Sequence, residues 1–97
     1  MLRDLYLGFM KIHILHHASQ EPVYGLWLIE ELHRHGYQAS PGILYPTLHS
    51  LERQGLLTRE VRIVNGRQPK YYTATHAGRE AIAQARAKLR ELAGKVL

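Results

Sequence analysis

The chain has 97 residues, with 13 Lys and Arg against 8 Asp and Glu for a net charge of +5, seven His and no Cys. That length holds one small domain, and 45% hydrophobic with 22% charged residues places it among ordinary globular proteins, not disordered or fibrous ones. The lack of Cys excludes disulfide frameworks, thiolate metal sites, iron–sulfur clusters and thiol catalysis.

No stretch approaches the ~20 apolar residues of a membrane span, and Arg3 and Asp4 interrupt an N-terminus that has no signal-peptide pattern. A cytoplasmic protein with no membrane partner is expected. The charge is unevenly placed. Residues 1–50 hold three cations against four acids, a net of −1, and residues 51–97 hold ten against four, a net of +6. Segregated positive charge on a small basic chain points to a polyanion, because phosphate binding releases counterions.

Residues 2–18 are dense in apolar side chains and free of Pro, which predicts a first helix. Leu5, Phe9 and Ile12 mark one stripe, and Leu7, Met10 and Ile14 mark another. One stripe serves the domain's own core, and the second is expected to meet a twin copy of the chain. Pro22 closes a loop, and a second, amphipathic helix follows through Leu26, Trp27, Ile29 and Leu32 to a stop at Gly36. Trp27 reads as a core residue.

Ser40-Pro41-Gly42 predicts the start of a third helix, with Ser40 as cap and Pro41 in the first turn, where its missing N–H costs nothing. Leu44, Leu48 and Leu51 form its buried stripe, and Gly55 ends it. Its other face, with Ile43, Pro46, Thr47, His49 and Ser50, is small and polar enough to enter a groove.

Two alternating runs, Leu57 to Val64 and Gln68 to Thr73, flank Asn65-Gly66, a dipeptide suited to the positive φ angles of a type I′ turn. A β-hairpin is predicted there, with Arg62, Arg67 and Lys70 on or near its tip. Thr75 then caps a last helix whose Ala77, Ala81, Ile82, Ala85, Leu89, Leu92 and Val96 form a narrow stripe. The fold class is therefore α+β, mostly helical: a winged helix-turn-helix in the order α-α-α-β-β-α. Residues 1–74 are expected to form a nucleic-acid-binding domain, and residues 75–97 a C-terminal dimerisation helix.

In such a module the third helix faces the major groove while the wing and helix N-termini meet phosphates. Tyr24-Gly25, the string Ser40-Pro41-Gly42-Ile43-Leu44-Tyr45-Pro46-Thr47-Leu48, the string Leu51-Glu52-Arg53-Gln54-Gly55-Leu56-Leu57 and Lys70-Tyr71-Tyr72-Thr73-Ala74-Thr75 with Gly78-Arg79 together resemble the PadR family of bacterial transcriptional regulators. The resemblance covers nearly the whole chain. It implies a dimeric winged-helix repressor of a pseudo-palindromic operator, released by a small effector. Carried onto matching positions, it implies DNA contacts from Ser40, Tyr45, Pro46 and His49 on the third helix and from Arg67 and Lys70 on the wing. Tyr24 is placed to offer its hydroxyl to a phosphate. Ile43 departs from the family string, where Thr or another small residue is expected. Dimerisation is expected through Leu7, Met10 and Ile14 of the first helix and Leu89, Leu92 and Val96 of the last.

Two further readings come from the residues. His13, His16 and His17 lie at i, i+3 and i+4, a spacing that metal ligands use, and His33, His35, Glu30 or Glu31 would have to complete a shell, as in a metal-responsive regulator. The bland reading is packed, hydrogen-bonded imidazoles, and no metal or cofactor is expected. An enzyme is not expected either, because Asp4 is the sole Asp and there is no Gly-rich phosphate loop or nucleophile elbow. A winged-helix module that binds protein instead of DNA is the rival class.

Overall fold

A computed structural model describes all 97 residues. The elements run α1 (Leu2–Gln20), β1 (Val23–Tyr24), α2 (Gly25–Arg34), α3 (Pro41–Arg53), β2 (Leu57–Val61), β3 (Lys70–Ala74) and α4 (His76–Val96). The four expected helices and the hairpin are present. β1 is the addition: two residues that pair antiparallel with β3, Val23 opposite Tyr72 and Tyr24 opposite Tyr71, giving a three-stranded sheet in the order β1-β3-β2. A strand of two residues has no alternation to read, so only the partner strand reveals it.

The hairpin turns as its dipeptide requires, with Asn65 at φ 53° and Gly66 at φ 75°. Its ladder is shorter than the alternating runs. β2 ends at Val61 opposite Lys70, Arg62 N–H donates to the Pro69 carbonyl, and Val64 bridges Arg67 at the turn. Pro69 has no N–H to return, so regular pairing stops there and the wing tip stands as a short separate loop.

The core gathers Ile14 and Leu15 of α1, Leu28 and Leu32 of α2, Leu44, Leu48 and Leu51 of α3, and Leu57 and Tyr72 of the sheet. Trp27 is half-buried against it. α4 contributes Ile82, and Gly78 lets its first turn lie against the Leu56 carbonyl, where a Cβ would collide. Thr75 caps α4 as expected, accepting from the Gly78 N–H at 3.0 Å.

The expected division of labour along α1 needs correction. Met10 and Ile14, expected on a dimer face, are 5% and 0% exposed and belong to the core of their own chain. Leu7 is half-buried at the edge of a groove toward α3. The apolar side chains that α1 leaves outside are Leu2, Leu5 and Tyr6. Two adjoining stripes on one helix look alike in sequence, and only the direction from which α2 and the sheet pack decides which goes inward. α4 follows α1 for its first half, where Arg86 reaches His16 Nδ1 at 3.0 Å. Its second half leaves Leu89, Leu92 and Val96 at 39%, 53% and 68% exposure.

Candidate nucleic-acid interface

α3 is built to present a backbone end and one face. Ser40 occupies the N-cap position with extended backbone, and its carbonyl accepts from Leu44 N–H at 2.8 Å. Its hydroxyl makes no capping hydrogen bond, contrary to the expectation that it supplies a capping oxygen, and the residue is exposed. Pro41 has no N–H and the Ile43 N–H also bonds the Ser40 carbonyl, at 3.0 Å, so the Gly42 N–H and the Ser40 hydroxyl are the donors this helix end leaves for an anion. Pro41 and Pro46 both lie within the helix, and Thr47 Oγ1 donates to the Ile43 carbonyl at 2.8 Å. Leu44, Thr47, Leu48 and Leu51 point into the core, leaving Gly42, Ile43, Tyr45 and Pro46 exposed and His49 half-exposed.

Tyr45 lies at the side of this face. Its ring and hydroxyl sit against Gly25, the first residue of α2, in the space a side chain there would fill. Tyr24, the N-cap of α2, is exposed, makes no capping bond and packs its ring 5.4 Å from that of Tyr71. The wing closes the other side. A groove of about 1000 Å³ runs between the two, lined by Tyr24, Gly25, Leu26 and Tyr45 on one wall and by Val64, Asn65, Arg67, Gln68, Lys70 and Tyr71 on the other. Arg67 and Lys70 are exposed and make no ion pair.

Tyr24, Tyr45, Arg67 and Lys70 thus converge on one groove, with Ser40, Pro46 and His49 on the adjoining face of α3. Two residues outside the expected set belong to this surface. Gly25 is one, and its signal is a helix-start glycine with no positive φ to explain it, which marks close approach instead. Leu26, 60% exposed beside the groove, is the other.

Not every wing cation is available. Arg62 is tied down, paired with Glu60 and with its guanidinium 4.4 Å from the centre of the Tyr71 ring. Arg59 pairs with Glu52 at 3.5 Å. Half of the ten cations in residues 51–97, namely Arg79, Arg86, Lys88, Arg90 and Lys95, lie on α4 and not on the wing or α3.

The histidines do come together, through space as well as along α1. His17 Nε2 and His35 Nε2 approach Glu31 Oε2 at 3.3 and 3.2 Å, Arg34 pairs with Glu31 at 3.0 Å, and the His13 ring lies 4.9 Å from that of His35. Glu31 is buried at 8% exposure. Burial pushes its carboxyl up, but the hydrogen bond with His35 and the charges of Arg34 and His17 outweigh that and hold it below 4.5. Desolvation and the neighbouring imidazoles lower His13 and His17 below 6.5, with Glu31 opposing. No group of three or more His, Asp or Glu side chains is arranged to hold a metal ion. The cluster pins α1 to the end of α2.

This arrangement of helix, paired strands and wing is shared with known proteins. Residues 14–84 match the family model described as the transcriptional regulator PadR-like family. The chain belongs to the PadR-like family. It is 52% identical over 96 residues to the transcriptional regulator Rv3488 of Mycobacterium tuberculosis, covering 99% of this chain and 90% of that one. Among solved structures, a PadR family transcriptional regulator from Eggerthella lenta superposes with a TM-score of 0.85 at 31% identity, covering 99% of this chain and 85% of that one. A PadR-like transcriptional regulator from Bacillus cereus gives 0.84 at 30% identity, covering 92% and 88%. The protein is accordingly a PadR-like transcriptional regulator and not an enzyme, and no helix is long and apolar enough to cross a membrane.

Proposed function

We propose that this PadR-like protein binds double-stranded DNA sequence-specifically as a homodimer and represses transcription until a small effector releases it. The observation that carries the reading is the groove between α3 and the wing, where two unpaired cations, three tyrosines and the N-terminus of α2, which has no side-chain cap, face the same space. Phosphates are the anion such a surface fits, since N–H groups, phenols and long cationic side chains all donate to them. Tyr24, Ser40, Tyr45, Arg67 and Lys70 then hold the backbone, and Pro46 and His49 meet base edges.

Residues 1–74 act as the DNA-binding module and residues 75–97 as the dimerisation helix. Leu89, Leu92 and Val96, exposed on the distal half of α4, support the dimer, with the outward side chains Leu2 and Leu5 of α1 taking the place first given to Met10 and Ile14. Twofold symmetry would set two α3 helices about 10 base pairs apart on a pseudo-palindrome. A second groove, of about 700 Å³ between Arg3, Tyr6 and Met10 of α1 and Ile43, Pro46 and Thr47 of α3, gives an effector a place in contact with the reading helix.

The test is binding of the purified chain to DNA from upstream of its own gene, against a random duplex, across a salt series. Preferential binding by two protomers, with log affinity falling by about 0.9 per phosphate contact for each tenfold rise in salt, is the expected result. Lys70→Ala weakens both duplexes alike, and His49→Ala also blurs the preference. Absence of binding at low salt to any duplex would reject the reading in favour of a protein partner.

A further inference from the structure

The reading face of α3 lacks the side chains that usually identify bases. Between Ser40 and Leu51 there is no Arg, Lys, Asn, Gln, Asp or Glu. Bidentate recognition of guanine by Arg or Lys, and of adenine by Asn or Gln, is therefore closed to the first three turns. The hydroxyls present are largely engaged elsewhere. Thr47 is buried and bonded to the Ile43 carbonyl, Ser50 accepts from Gln54 Nε2 at 3.0 Å, and the Tyr45 phenol is turned onto Gly25.

Besides the Ser40 hydroxyl at the helix start and the half-exposed His49, what remains outward is apolar and close to the backbone. Ile43 is 41% exposed although the rest of its helix buries every Leu, and Pro46 is exposed one turn on. At Gly42, one turn before Pro46 and adjacent to Ile43, a Cβ would meet only the Ser40 hydroxyl at 3.9 Å, so the backbone can approach a groove floor closely. The one apolar group on base edges in the major groove is the C5 methyl of thymine.

We propose that Ile43, with Pro46 beside it, selects thymine by burying its C5 methyl group, so that the half-site is read by apolar contact in place of a bidentate hydrogen-bond pair. This rests on the DNA-binding reading above and adds to it the base and the atom recognised. The flanking donors hold the duplex in register, and the methyl contact distinguishes thymine from cytosine at the same position, since cytosine carries hydrogen there and an amino donor alongside.

The experiment starts from the sequence that the full chain enriches from a random duplex library. That duplex is then synthesised with thymine or with 2′-deoxyuridine, which pairs identically and lacks only the methyl. Binding of both is followed by fluorescence anisotropy for the wild type and for Ile43→Ala and Ile43→Val, each checked for an unchanged melting profile. Burial of one methyl corresponds to about a fourfold change in affinity. The expected result is that uridine weakens wild-type binding about fourfold per contacted thymine, that Ile43→Ala binds both duplexes equally, and that Ile43→Val keeps the preference. Equal wild-type affinity for the two duplexes, with the enriched sequence still preferred over a scrambled one, would overturn the methyl contact and leave DNA reading standing. An undiminished uridine effect in Ile43→Ala would assign it to duplex shape and overturn the role of Ile43. No enrichment of any sequence would overturn both readings together.

Discussion

The phenol of Tyr45 rests on Gly25, its hydroxyl and ring edge filling the space a side chain at position 25 would need. This contact aims the side chain of the reading helix along the N-terminus of α2 and makes it one wall of the groove facing the wing. Gly25 is not in a positive-φ conformation, so alanine is acceptable to its backbone. Gly25→Ala is therefore expected to displace the Tyr45 ring, costing less than about 1.5 kcal/mol of stability while weakening DNA binding about tenfold. In a Tyr45→Ala background the same substitution should have no further effect on affinity. Additive losses in that double-mutant cycle would separate the two residues.

Acid should weaken the fold before it reaches the carboxylate range. His13 and His17 have folded-state pKa values below 6.5, so the unfolded chain binds more protons as pH falls. Their contribution is complete above about pH 6.5 and is lost as pH drops through the lowered values. Glu31, held below 4.5, adds stability present above that value and lost beneath it. Both shifts act in the same direction, so the melting temperature is expected to fall from pH 7.5 to 5.5 and again below 4.5. In His13→Phe or His17→Phe the first decline should shrink; a flat profile between pH 7.5 and 5.5 in the wild type would contradict it.

Tyr72 is 1% exposed and its hydroxyl is the single buried side-chain polar atom with no hydrogen-bond partner. Burial raises its pKa; Arg59 acts on it electrostatically in the opposite sense without meeting hydrogen-bond geometry. Removing an unsatisfied hydroxyl removes its desolvation cost, so Tyr72→Phe is expected to stabilise the chain by about 1 kcal/mol in denaturant unfolding. A loss of comparable size would mean the hydroxyl is satisfied in solution.

Two helical glycines should respond oppositely to alanine. At Gly78 a Cβ would drive into the Leu56 carbonyl, a backbone atom held in the turn before β2. Overpacking there costs about 1–3 kcal/mol and outweighs the ~1 kcal/mol that alanine contributes as a helix former, so Gly78→Ala should lower the melting temperature. At Gly8 nothing lies within 4 Å of the same position. Gly8→Ala should raise it.

Leu92, half-exposed on the distal part of α4, is the position at which association is most simply tested. Leu92→Glu places a charge in any apolar interface there while leaving the protomer core, which uses Ile82, untouched. Light scattering is expected to show the wild type as a dimer and the variant shifted toward monomer, with weaker DNA binding and a shallower salt dependence appearing together. A wild-type monomer at tens of micromolar would remove the dimer from the proposed function.

Neighbours along the chain decide the local features of this fold. Asn65-Gly66 specifies its turn because only such residues accept two positive φ angles in succession. Gly36 and Gly55, at φ 85° and 77°, end their helices for the same reason, and the spacing of Leu44, Leu48 and Leu51 selects the buried face of α3 and hence its outward one. From these local features the winged-helix order and most of the groove residues were legible. Other features depend on what arrives from elsewhere in the chain. The two-residue strand β1 exists because β3 is beside it, and Met10 and Ile14 face inward because the core packs on that side of α1. Arg62 is diverted to Glu60 and Tyr71, whereas Arg67 and Lys70 stay free. His17, Glu31 and His35 meet because α1 and α2 cross there. Backbone preference acts within a few residues, while burial and charge pairing act through space, so the second kind of information becomes readable only once distant segments share a surface.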